Sequence, residues 1–174
     1  EDEYPSDLPL HHQLHLPSGS CLKNAHSQSV FVSMSHPEDE QRAGDGSRVL
    51  NISMHTDPQN WYLDDRHRYE KQRAKLAEDV VDHLESSLPG FHRNIIKKQF
   101  AATPLTWENW VYRKKGRVGG IPQSMSRSLW DWMPAETPFD GLFLCGDTVF
   151  PGQGIPGVTL SGINAFHRVE LYAD

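Results

Sequence analysis

The residues best suited to bind a small molecule lie together near the end of the chain. Residues 141–169 read GLFLCGDTVFPGQGIPGVTLSGINAFHRV. Within this stretch, Asp147 follows a short apolar run and precedes a turn rich in glycine and proline. A carboxylate at the end of a strand can accept hydrogen bonds from sugar or ribityl hydroxyl groups. The alternative role for Asp147 is an Asx turn or a helix cap.

The turn after Asp147 predicts a helix whose first turn is open to a ligand. Pro156 suits that position, since its missing N–H would have no intrahelical partner there. We expect the N–H groups of Val158 and Thr159 to face the gap, where a helix N-terminus favours negative charge. Strand, carboxylate, glycine turn and helix together are typical of a nucleotide-type cofactor site. The small residues that leave room for a ligand or a neighbouring backbone are Gly152, Gly154, Gly157, Ser161, Gly162 and Ala165.

Two alternating runs upstream predict an antiparallel hairpin. In residues 29–35, Val30, Val32 and Met34 point to one face of a strand, and serines occupy most of the other. Residues 48–56 alternate again, and a polar segment that ends in Gly-Asp-Gly joins the two runs. Such alternation is typical of an antiparallel sheet with one buried face.

The remaining elements complete a prediction of an α+β fold. Residues 65–88 predict a helix that covers the sheet, because apolar side chains recur every fourth residue and Pro89-Gly90 stops it. Residues 95–101 indicate another strand, and residues 103–132 are expected to be irregular. Residues 142–145, with Cys145 as a small buried core residue, are expected to form a strand. With the helix after it, that strand would make a second, incomplete layer.

The composition of the chain limits the classes of partner that we expect it to bind. The net charge of −6 argues against nucleic-acid binding, because a phosphate-binding surface needs an excess of basic residues. Two cysteines make no disulfide framework, and the histidines at positions 11, 12 and 15 lack further ligands at metal spacing, so no metal site is predicted. The acidic start is unlike a signal peptide, and no apolar run approaches the roughly 20 residues of a membrane span. We therefore expect a cytoplasmic protein or one in peripheral contact with a membrane.

The C-terminal motif GDTVFPGQGIPGVTLSG resembles the flavin-binding motif of the carotenoid desaturase and isomerase family, the phytoene dehydrogenase-like FAD-dependent oxidoreductases. Residues 29–61 are similar to that family's substrate-domain strands, and HHQL at residues 11–14 and GGIPQ at residues 119–123 also fit. The resemblance covers most of the chain from about residue 11. It divides the chain into a portion of the substrate-binding domain, residues 1–132, and the C-terminal part of the FAD-binding domain, residues 133–174.

This resemblance implies an enzyme that desaturates or isomerises a lipophilic, carotenoid-like polyene with FAD as cofactor. Asp147 would contact the ribityl–diphosphate region, and Val158 would donate its backbone N–H to the flavin ring. No catalytic base is assigned. The residues that the resemblance places at the cofactor are Gly146, Asp147, Gly154, Ile155, Pro156, Gly157 and Val158.

Trp107 and Trp110 are candidates for the wall of an apolar substrate tunnel, and ordinary core aromatics are the alternative. Two other functions stay open. One is a flavin amine oxidase-type enzyme. The other is a non-catalytic interaction domain of sheet and helix, which would leave the glycine turn after Asp147 unexplained.

The chain also lacks the G-x-G-x-x-G loop after a strand that grips the other half of FAD in dinucleotide-binding folds. It therefore resembles the last part of a flavoprotein, and we expect the isolated chain to be colourless, inactive and weak in binding FAD. Residues 142–145 would be an unpaired edge, and such edges tend to pair with another chain. The prediction is a homo-oligomer of the fragment.

Overall fold

The computed structural model describes residues 8–22, 25, 27–119 and 125–173. In these residues the chain forms strands β1 (His11–His15), β2 (Ser29–Met34) and β3 (Leu50–Ser53), and helices α1 (Arg66–Ser87), α2 (Pro104–Val111) and α3 (Ile155–Ala173). The α+β prediction is confirmed. The chain divides into two compact units: the first ends at Gly116 and contains every element except α3, and the second begins at Arg117.

The first unit is built on an antiparallel sheet in the order β1-β2-β3. Val32 lies at the centre, opposite His12 on β1 and Ile52 on β3, so the predicted hairpin of β2 and β3 is confirmed. Val30 and Val32 are completely buried, as their alternation predicted. β1 is a third strand beside the predicted hairpin, and it contains His11, His12 and His15, for which the sequence favoured a surface or strand position over a metal site.

Helix α1 covers the buried face of the sheet. Asp65 caps it by accepting hydrogen bonds from the N–H groups of His67 (2.8 Å) and Arg68 (3.4 Å), and Leu88 ends it before Pro89. The core joins the inner face of β2 to one face of α1, as predicted, and includes Val30, Val32, Met34, Val80, Val81, Leu84, Leu88 and Phe91.

Helix α2 corrects the expectation that residues 103–132 are irregular. The Thr103 hydroxyl accepts from the N–H of Thr106, and the N–H of Thr103 donates to the Thr106 hydroxyl in return, which makes a capping box. Pro104 occupies the first turn. The Thr103 hydroxyl lies 2.8 Å from that of Tyr69, and both side chains are buried, so α2 is fixed to α1. The strand expected at residues 95–101 is also wrong, because residues 93–95 form a short 3-10 turn whose Arg93 bonds back to Glu85.

The second unit consists of α3 and the segment before it. Its core contains Ala135, Val149 and Ala165 among the described residues. Residues 142–145 do not form the expected strand: an isolated bridge joins Phe143 to Glu136, Leu142 and Leu144 are exposed, and Cys145 is an accessible free thiol. A strand with a continuous apolar run is buried within a sheet whose two faces are both covered, and the described part of this unit contains no sheet.

The domain boundary predicted at residue 132 stays a prediction, since compactness alone does not define a functional domain. Within the described ranges, no helix has the length and apolarity required to cross a membrane.

Candidate functional site

A hydrogen bond between α3 and the turn before Asp147 organises the candidate cofactor loop, residues 146–158. The backbone N–H of Gly146 donates to the hydroxyl of Ser161 at 3.0 Å, and Ser161 is completely buried. Gly146 has a φ of +116°, a conformation that side chains rarely permit. The sequence marked Ser161 only as a small residue, and no signal in the sequence distinguishes it from Thr159, the other aliphatic hydroxyl on the helix.

The second half of the loop folds tightly onto the start of α3. A Cβ at Gly157 would lie 2.6 Å from the carbonyl oxygen of Gly152, so any side chain at residue 157 would push the loop away from the helix. The N–H of Gly152 donates to the carbonyl of Val149 at 2.9 Å, and Val149 is buried. Gly157 is therefore needed for the loop to pack against the helix, in addition to any role in leaving room for a ligand.

Helix α3 begins where the sequence predicted, with Pro156 in its first turn. The N–H of Val158 donates to the carbonyl of Gly154 at 2.9 Å, as part of the helix. This corrects the expectation that the N–H of Val158 faces the gap, and Thr159 lies one residue deeper in the helix. A first turn leaves its earliest N–H groups without an intrahelical acceptor, which are here those of Gly154, Ile155 and Gly157. These groups are the donors that the helix start presents.

Asp147 lies directly after Gly146, and its side chain is half-buried. The Thr148 hydroxyl lies 3.5 Å from the Asp147 carboxylate, at the limit of a hydrogen bond. The turn that contains Asp147 is fixed from both sides, by Ser161 and by the bond from the N–H of Phe150 to the carbonyl of Met133 at 2.9 Å. Asp147 is therefore a carboxylate on a well-supported turn.

The described residues leave space beside the loop. None of their atoms would lie within 4 Å of a Cβ at Gly146, and a Cβ at Gly154 would reach only the Cδ of Pro156 among them, at 4.0 Å. Gly119 lies beside the same loop, since a Cβ there would come within 1.8 Å of the Gln153 side-chain oxygen. The structure thus brings the start of the GGIPQ motif to the glycine turn, and residues 120–123 of that motif lie outside the described residues.

The candidate substrate residues lie elsewhere, on α2 in the first unit. Trp107 is 45% exposed and Trp110 is 78% exposed, so neither is an ordinary core aromatic. His11 stacks on Phe31 at the outer face of the sheet, with ring centroids 5.8 Å apart. Across the residues that the structure describes, no group of three or more His, Cys, Asp or Glu side chains is arranged to hold a metal ion.

Known proteins resemble this chain over nearly its whole length. A prolycopene isomerase, chloroplastic, from Daucus carota is 31% identical over 169 residues, which are 97% of this chain and 27% of that protein. The prolycopene isomerase of Arabidopsis thaliana is also 31% identical, over 95% of this chain and 28% of its own length. A 4,4'-diaponeurosporene oxygenase from Staphylococcus haemolyticus is 29% identical over 82% of this chain.

No family model and no solved structure matches the chain. The chain spans a little more than a quarter of the length of these curated relatives. The names of the relatives agree with the resemblance carried by the motif at residues 146–162. The chain therefore belongs to the carotenoid desaturase and isomerase family, and it corresponds to a part of these longer relatives.

Proposed function

We propose that this chain forms part of an FAD-dependent oxidoreductase that desaturates or isomerises a carotenoid-like polyene. Its relatives are named as isomerases of prolycopene and oxygenases of diaponeurosporene, which supports a carotenoid-related substrate. The observation that carries the FAD part is the candidate cofactor loop. Its glycines open onto free space at the N-terminal end of a 19-residue helix.

The residues of the loop fit one part of FAD. The N–H groups of Ile155 and Gly157 are donors for an electron-rich ring edge, and the positive end of the helix dipole favours negative charge there. The Asp147 carboxylate is an acceptor for ribityl hydroxyl groups. Gly146 and Gly154 allow a flat group to approach the backbone closely. Val158 contributes by closing the first turn, since its N–H bonds to Gly154.

FAD, when bound, supplies the capacity to accept or donate a hydride. This chain's own residues would position the cofactor. Ser161 keeps Gly146 and Asp147 in place, and the contact of Gly157 with Gly152 fixes the helix start. A polyene has no charge to recognise, so we propose that aromatic side chains, Trp107 and Trp110 among them, form part of its binding surface.

The cofactor proposal is tested in the longer protein that carries this chain. We expect Asp147→Ala to raise the Kd for FAD by about five- to one-hundredfold, since a buried hydroxyl of the cofactor would lose its acceptor at about 1–3 kcal/mol. The measurement is flavin absorbance per purified polypeptide, with a titration of the apoprotein. Asp64→Ala, at an exposed carboxylate in the first unit, is the control. Equal flavin content in both variants would show that Asp147 only stabilises the turn and does not bind the cofactor.

The substrate proposal has its own measurement. We expect Trp107→Ala to lower polyene turnover severalfold while flavin content stays unchanged, because the residue contributes apolar contact area and no cofactor contact. Trp130→Ala, which removes a 94% exposed tryptophan from the second unit, is the matched control. Turnover of a polyene that survives Trp107→Ala and Trp110→Ala would reject the aromatic wall and favour a polar substrate.

A further inference from the structure

Gln153 is the one side chain of the glycine turn that can form hydrogen bonds. Residues 149–158 read VFPGQGIPGV, and every other residue of this run is apolar or glycine. Gln153 is exposed, whereas Gly152 just before it is buried. The glycines on either side, Gly152 and Gly154, have φ values of +104° and +87°, a region that favours glycine. The backbone of the turn therefore presents a single carboxamide next to the space at Gly154.

The Gln153 carboxamide occupies the place where a side chain of residue 119 would lie. A Cβ at Gly119 would be 1.8 Å from the Oε1 atom of Gln153 and 2.9 Å from its Cδ atom. Gly119 has a φ of +89°, so its backbone conformation also favours glycine. Both residues belong to the second unit. The missing side chain at Gly119 lets the carboxamide lie against the backbone of a distant segment, and this contact limits the positions that the carboxamide can take.

The polar edge of a flavin ring needs an acceptor as well as donors. The pyrimidine part of the ring carries two carbonyl oxygens and, between them, one N–H group at N3. The start of α3 offers N–H donors, those of Ile155 and Gly157, and the proposed function assigns the Asp147 carboxylate to ribityl hydroxyl groups. A carboxamide has a carbonyl acceptor and an NH2 donor side by side, so it can pair with N3–H and an adjacent ring carbonyl at once. Since it is neutral, it also adds no negative charge next to a reduced flavin.

We propose that Gln153 is a cofactor-specificity residue that pairs with the pyrimidine edge of the flavin, and that Gly119 positions its carboxamide. This inference rests on the proposed function, because it takes FAD to be the cofactor. A purely structural role would have the carboxamide join the glycine turn to the segment at Gly119 and no more. The two roles differ in one observable, the preference for a flavin that carries N3–H.

FAD methylated at N3 is the probe, because it lacks the N3–H group and is otherwise the same cofactor. In the longer protein that carries this chain, freed of flavin, we expect N3-methyl FAD to bind about five- to one-hundredfold more weakly than FAD. Gln153→Ala should weaken FAD binding by a similar factor and should bind the two flavins about equally, since neither then has a partner at N3. Equilibrium titration followed by flavin fluorescence gives both Kd values. Gln41→Ala, at an exposed glutamine in the first unit, is the matched control and should keep both the affinity and the preference.

Gly119→Ala tests the positioning role. The new Cβ would displace the carboxamide, so we expect the preference for FAD over its N3-methyl form to fall about fivefold or more. In the 174-residue chain without cofactor, the side-chain NH2 signals of Gln153 in the NMR spectrum should shift. Gly19→Ala is the control, because its φ of +81° imposes a similar backbone strain and a Cβ there would meet no atom of the described residues within 4 Å. It should leave the Gln153 signals unchanged.

The outcomes separate this inference from the proposed function. A Gln153→Ala variant that binds FAD but keeps the parent's preference over the N3-methyl form would overturn the inference and leave the proposed function intact. A parent protein that binds neither flavin would overturn both. Unchanged Gln153 signals in Gly119→Ala would show that Gly119 does not position the carboxamide.

Discussion

At the residue scale, Ser161 is the side chain on which the candidate cofactor loop depends most. It lies on α3, is fully buried, and accepts the N–H of a residue fifteen positions earlier. A buried backbone N–H without an acceptor carries the full cost of its desolvation. Ser161 therefore connects the helix to the turn that presents Asp147.

We expect Ser161→Ala to destabilise the Gly146 turn by about 1–3 kcal/mol, because the N–H of Gly146 would lose its acceptor. The measurement is the exchange rate of the Gly146 amide proton by NMR, which should rise about five- to one-hundredfold. Thr159→Ala, at an exposed hydroxyl in the same helix, is the control and should leave that rate unchanged. Equal protection of Gly146 in both variants would show that the turn is held by other contacts.

At the element scale, two glycines of α3 make a matched pair. A Cβ at Gly157 would collide with the Gly152 carbonyl oxygen, whereas a Cβ at Gly162 would meet no atom of the described residues within 4 Å. We expect Gly157→Ala to lower the midpoint temperature of unfolding, since backbone must move, and Gly162→Ala to raise it, since alanine favours a helix interior by about 0.5–1 kcal/mol. Calorimetry of the two variants beside the parent chain gives the comparison, and a loss of stability at Gly162 would contradict the assignment.

The elements also show where a sequence is informative. Helix α1 and the β2–β3 hairpin were predictable because Val30, Val32, Val80 and Leu84 are buried by neighbours within the same unit, so their spacing and their burial agree. The start of α3 followed from Pro156. Helix α2 was missed because it is only eight residues long and presents its aromatic face to solvent, although Thr103 and Pro104 signal its first turn.

The sequence predicted which residues form the candidate site, but it predicted less well which hydrogen bonds they make. The sequence placed Gly146, Asp147 and Gly157 in one segment, and the structure has Gly146 and Asp147 in the turn and Gly157 in the first turn of α3. The sequence did not predict that the N–H of Val158 bonds within the helix, or that residues 142–145 lie exposed. Both features depend on contacts in the folded chain. The contact of Gly119 with Gln153 depends on tertiary folding in the same way.

At the scale of the whole molecule, the two units differ in how much apolar surface they bury. Among the described residues, the first has a core of ten buried residues, most of them on the sheet and α1, and the second has a core of three. In the second unit, apolar side chains remain exposed both before and along α3. They include Leu142, Leu144, Ile155, Ile163, Phe166 and Val169. Contiguous exposed apolar patches mark sites of association.

We therefore expect the isolated chain to self-associate and to bind FAD weakly or not at all. Light scattering should report an oligomer, and calorimetry with FAD should give no tight site. Ile163→Glu with Phe166→Glu should shift the chain towards a monomer, because charge is introduced into an apolar contact. Ile95→Glu with Phe100→Glu, at exposed apolar positions of the first unit, is the control. A monomeric chain that binds FAD tightly would contradict both expectations.

The burial of α3 has a consequence for how substitutions will be tolerated. Its buried positions are the small residues Ser161 and Ala165, and its large apolar residues are exposed. In a saturation scan for folding of the isolated chain, changes at Phe166 should therefore be nearly silent apart from their effect on self-association, while enlargement of Ala165 should be harmful. In the longer protein, we expect Phe166 to become intolerant as well. The positions that differ between the two scans would identify which residues of this helix are in contact with the rest of the longer polypeptide.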